Sequence, residues 1–144
     1  MRRCVIWVVP LLIASAPAAA QTVTAVCKGL SGRAMGVESS GALVNEVDGM
    51  RGGQIAITWK TGAKTAQIVA QGFGGVPVTD TGSLVHVSAE QASFVVNYPA
   101  AVWLYSLFVR PKHLLVTRHT SGVADAKGGA IGNVLHASCE IRAK

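Results

Sequence analysis

In the stretch "QIAITWK" (54–60), Ile55, Ile57 and Trp59 fall on one side of an extended chain and Ala56, Thr58 and Lys60 on the other. A period of two is the pattern of a half-buried strand. "TGAK" follows as a hairpin turn, and "TAQIVAQ" (65–71) resumes the alternation. A second hairpin is predicted over 83–98 with its turn near Ala89 and Glu90. A third covers 101–120 and turns at Arg110-Pro111-Lys112, where proline suits a bend and cannot serve a central ladder. Strands over 22–28, 42–47 and 133–142 bring the count to eight or nine, and no helix is predicted beyond the first twenty residues. Three glycine-rich segments, "KGLSGRAMG", "QGFGGVPVTDTG" and "TSGVADAKGGAIGN", read as loops between strands.

Hairpins in succession at this spacing predict an all-β protein, an antiparallel up-and-down meander of about eight strands. Such a meander either closes into a small barrel or folds into a sandwich, and closure removes the edges that invite aggregation. In a closed barrel the first and last strands are neighbours. The last strand carries Leu135, Ala137, Cys139 and Ile141 on its apolar side and His136, Ser138, Glu140 and Arg142 on its polar side.

The N-terminal "MRRCVIWVVPLLIASAPAAA" has two arginines, an uncharged apolar run and a small-residue end at Ala18-Ala19-Ala20. That order predicts a secretory signal peptide over 1–20 and a single mature domain over 21–144. The apolar run contains Pro10, ends before Pro17 and falls short of the roughly 20 residues a spanning helix needs. No stable membrane insertion is therefore expected after cleavage, and the mature chain is expected in the periplasm or outside the cell.

Cleavage changes the cysteine count from three to two by removing Cys4. In an oxidising compartment the remaining pair, Cys27 and Cys139, is expected to form a disulfide. It would join the first strand to the last. Cleavage also removes Arg2 and Arg3, leaving eleven basic residues against seven acidic ones, a net charge of +4. The positive residues are scattered, which argues against a nucleic-acid surface.

The familiar chemical motifs are absent. "GFGG" has Pro77 where a dinucleotide fingerprint needs its third glycine, and no helix is predicted after it. The histidines His86, His113, His119 and His136 form no H-x-H or H-x-x-x-H pair, so no metal site and no cofactor are predicted. "ESSGA" and "HTSGV" are not nucleophile elbows. Glu46 and Asp48 lie two apart, as an acid-base pair would, but a polar strand end entering a glycine turn explains them as well.

One segment departs from simple alternation. "AVWLYSLFV" is apolar on both faces, with Trp103, Tyr105 and Leu107 on one and Val102, Leu104 and Phe108 on the other. A barrel strand ordinarily shows one face to water, so Trp103, Leu104, Tyr105, Leu107 and Phe108 are candidate contacts for an apolar ligand or an envelope protein partner, a second copy of the chain included.

The export signal, the size and a cysteine near each end of the mature chain resemble, in outline, the small exported β-barrel inhibitors of lysozyme in bacterial envelopes. That family's serine-glycine and aromatic recognition loop has no counterpart here, so no site residue carries over. Lipocalin-like carriers are similar in outline too, without their G-x-W signature. The reading favours a non-enzymatic binding or interaction module of the envelope. The alternative is a small periplasmic enzyme, such as a hydrolase, whose site assembles only in three dimensions.

Overall fold

The computed structural model describes residues 20–48, 50–72, 74–121 and 129–144. The signal segment therefore lies almost wholly outside the described residues, as does half of the last glycine-rich segment, whose two ends belong to β8 and β9. Nine strands run in order: β1 (Thr22–Val37), β2 (Leu43–Val47), β3 (Gln54–Lys60), β4 (Thr65–Gln71), β5 (Val78–Val87), β6 (Gln91–Tyr98), β7 (Ala101–Phe108), β8 (His113–Ser121) and β9 (Ala130–Ala143). Strands β3 to β9 form an antiparallel meander, and β1 closes it by pairing with both β3 and β9. The result is a closed eight-stranded barrel with β2 as an added strand, which decides between the barrel and the sandwich.

The predicted alternation holds along β3, β4, β6, β8 and β9, while β5 breaks it at an irregularity between Leu84 and His86. Ile55 and Ile57 on β3, Ile68 on β4, Phe94 on β6, Leu107 on β7, Leu114 and Val116 on β8 and Leu135 on β9 are all buried in one core. Each takes one inward position of its pleat. At about 25 cal/mol per Å² of apolar surface removed from water, this shared interior is the main driving force for closure.

Cys27 and Cys139 lie directly opposite each other in the β1–β9 register and form a disulfide, with Cα atoms 4.0 Å apart. Both side chains face the core. The bridge therefore ties the first barrel strand to the last at the seam where the sheet closes on itself.

Strand β1 is longer than the alternation predicts. "KGLSGRAMG" is not a loop but part of β1, which carries on to Val37 after an irregularity between Lys28 and Ser31. Gly29 takes a left-handed φ of 68° there. Beyond this point β1 leaves β3 and takes β2 as its partner, while β9 stays alongside. Leu30 N–H donates to the Gly53 carbonyl and Gly52 N–H to the Leu30 carbonyl, which fastens the loop after β2 to the irregularity. Gly32 serves close approach rather than a turn: a Cβ there would come within 2.0 Å of the Val134 carbonyl oxygen. Glycine composition thus hid a strand.

The barrel has two unlike ends. One gathers the tight turns after β3, β5 and β7 with the start of β1 and the end of β9. The other gathers the loops before β3 and after β4, the end of β8 and the start of β9 with the β6–β7 turn and the far half of the β1–β2 hairpin. This second end is the mouth.

Candidate functional site

The mouth opens into a cup of about 610 Å³. Met50, Ala70, Val76, Val78, Pro99 and Ala101 supply its apolar lining, and Asp80, Tyr98, Trp103, Tyr105, Arg118 and Thr120 supply aromatic and polar groups. Its volume lies within the roughly 300–1,000 Å³ of small-molecule sites.

Four adjacent strands, β6 to β9, grade the cup in depth through their register. Tyr98 on β6 lies opposite Ala101 on β7, which lies opposite Thr120 on β8, and these residues form the rim. One inward position deeper, Val96, Trp103, Arg118 and Asn133 stand side by side across β6 to β9. Deeper again are Phe94, Tyr105, Val116 and Leu135, the top of the apolar core. The interior therefore changes from apolar to polar over a single step of the pleat.

At the rim, the Tyr98 hydroxyl donates to Asp80 Oδ2 at 2.5 Å. Burial, with the bond to the Asp80 carboxylate and its charge, pushes the Tyr98 phenol well above its ordinary range. It stays a neutral donor.

In the middle layer, the Arg118 guanidinium lies 5.1 Å from the centre of the Trp103 ring, a cation–π arrangement. Its Nε donates to Asn133 Oδ1 at 3.1 Å. The Asn133 amide donates in turn to Asp48 Oδ2, and the other Asp48 oxygen accepts the Met50 N–H at 2.8 Å. Asp48 and Asn133 are both buried. This chain of bonds fixes the Arg118 head by one nitrogen. Among the described residues, no hydrogen bond or ion pair engages its two terminal nitrogens.

On the floor, Tyr105 is fully buried and its ring stacks on Trp103 with centroids 6.0 Å apart. Trp103 in turn meets Tyr98 edge to face at 5.9 Å. The Tyr105 hydroxyl is the one buried side-chain polar atom among the described residues without a hydrogen-bond partner. Burial first, then the negative charge of the neighbouring groups, pushes this phenol up as well, while Arg118 acts in the opposite sense. An orphaned hydroxyl in an otherwise satisfied interior calls for a specific explanation.

The structure divides the residues that the sequence singles out on β7. Trp103 and Tyr105 line the cup, and Leu107 lies beneath them in the core. Leu104 and Phe108 point outward and are half-buried. On that outer surface Leu104 continues a row across Val95, Thr117 and Val134, of which Val134 is 52% exposed.

The histidines are elsewhere. His86, His113, His119 and His136 occupy positions facing away from the core, and His113 stacks on His136 at 6.1 Å. Among the described residues no group of three or more histidine, cysteine, aspartate or glutamate side chains is placed to hold a metal. Glu46 and Asp48 do not share a face: Glu46 is exposed on β2, and Asp48 is turned into the mouth.

Sequence reading missed Asp80, Tyr98, Arg118 and Asn133, although a signal for two of them exists. In "HLLVTRHT" Arg118 has the parity of Leu114 and Val116, and in "AIGNVLHASC" Asn133 has that of Leu135 and Ala137. A polar residue on an apolar stripe marks an inward-facing polar group. No protein-family model, curated protein or solved structure matches the chain.

Proposed function

We propose that this protein is an exported, non-enzymatic binding module of the bacterial envelope whose cup takes a small, largely apolar ligand. The observation that carries this reading is the cup: an apolar-walled, aromatic-floored recess in a disulfide-closed barrel. A few polar groups converging in a mostly apolar recess is the usual composition of a ligand site. The N-terminal signal pattern and the bridge both suit an oxidising compartment outside the cytosol.

The test uses residues 21–144 and the neutral fluorescent probe N-phenyl-1-naphthylamine. Its emission should rise on binding, and Ala70→Trp, which narrows the cup, should weaken the rise. Leu104→Glu, on the outer surface, should leave it unchanged. Absence of binding by the native protein, or a loss confined to Leu104→Glu, would overturn the reading.

A further inference from the structure

We propose that the cup is built for an amphiphilic monocarboxylate, whose carboxylate oxygens sit between the Arg118 guanidinium and the Tyr105 hydroxyl while the apolar body fills the recess. This rests on the cup being a ligand site and names what that ligand carries.

Two independent observations point to the missing group. Arg118 is held by Nε and by the Trp103 face, so its terminal nitrogens are oriented without being consumed. A guanidinium fork matches the two oxygens of a carboxylate. Separately, the fully buried Tyr105 hydroxyl has no partner. That hydroxyl is closed to water in this structure, so a ligand oxygen reaches it by parting the floor of the cup, and an O–H left unpaired in a dry interior gains most from such an acceptor.

Both donors lie deeper than the rim, where Asp80 is engaged by Tyr98. An acid entering head first therefore passes a carboxylate already hydrogen-bonded before it reaches the unpaired donors. The charge balance also selects the ligand. One cation with unused donors, set between the rim carboxylate Asp80 and the buried carboxylate Asp48 that reaches it through Asn133, suits at most a singly charged planar head and disfavours a doubly charged phosphate. Among the described residues, the remaining surface of the cup, Met50, Ala70, Val76, Val78 and Trp103, offers no second cation and favours a hydrocarbon or aromatic body.

The test compares decanoate with 1-decanol, which share a chain and differ in the head, by isothermal calorimetry at pH 8 on residues 21–144. Decanoate is expected to bind about tenfold tighter than decanol, the scale of one charge-assisted contact. In Arg118→Met that preference should fall to near unity with decanol affinity retained. Arg118→Lys should keep part of it, and Tyr105→Phe should weaken decanoate several-fold more than decanol. Circular dichroism establishes that each variant is folded, and the comparison in the native protein needs no variant at all. If the two ligands bind native protein equally, or the preference survives in folded Arg118→Met, the carboxylate assignment is wrong and the cup remains a neutral apolar site. If neither binds, the cup reading itself falls.

Discussion

Replacing Tyr105 with phenylalanine should make the protein more stable, which is the reverse of what deleting a buried hydrogen-bonding group ordinarily does. The hydroxyl sits on a fully buried residue and has no partner, so its removal breaks no bond and relieves a desolvation cost of about 1–3 kcal/mol. The ring stays stacked on Trp103, so packing is retained. We expect a gain of about 1–2 kcal/mol, seen as a higher urea midpoint with an unchanged slope and a rise in Tm of roughly 3–6 °C for a chain of this size. Tyr98→Phe supplies the internal control. That substitution removes the same atom, but one that donates to Asp80 at 2.5 Å, and should cost about 1–2 kcal/mol. Opposite signs from identical deletions separate an orphaned hydroxyl from a satisfied one. If Tyr105→Phe is neutral or destabilising, the hydroxyl is hydrogen-bonded and one of the two supports for the carboxylate site is lost. Stability given up at a binding site is a recognised cost of function.

Three further outcomes are expected. Replacing Cys27 and Cys139 by alanine together should lower stability by about 4–5 kcal/mol in urea, because the bridge spans 112 residues of chain, and a loss under 1 kcal/mol would mean that sheet pairing alone holds the seam. Native protein recovered from the periplasm or the medium should show no free thiol and an intact mass beginning at Gln21. The pH dependence follows from the two tyrosines, which are the only ones in the chain. Both phenols are pushed above their ordinary value of 10.0 in the folded state. Their contribution to stability is therefore complete below pH 10 and declines as pH rises further, by up to about 1.4 kcal/mol per pH unit for each. Tyrosinate absorbance should appear together with loss of the folded circular dichroism signal, and a phenol titrating near pH 10 in folded protein would contradict the burial argument.

The period of two in "QIAITWK" and "TAQIVAQ", and the shared parity of Leu135, Ala137 and Cys139, determined by themselves that the chain makes antiparallel strands with one buried face. Assigning Cys4 to a leader left Cys27 and Cys139 as the expected pair, and the structure joins them. These are local properties, readable because a strand shows its two faces alternately whatever its neighbours are. Closure, by contrast, is a matter of register between distant strands. Hairpin register set Trp103, Arg118 and Asn133 side by side below Tyr98 on β6 to β9, while closure curved that row into a recess, brought Asp48 onto Asn133, and turned "KGLSGRAMG" from an apparent loop into a strand whose glycines admit the β9 backbone. The two-faced β7 strand was legible as unusual, but which face met a cavity was not, because inward and outward are defined only once the sheet curves. The depth of a polar residue inside a barrel depends on strand stagger, and stagger is decided by the pairing of the whole sheet rather than by any one segment.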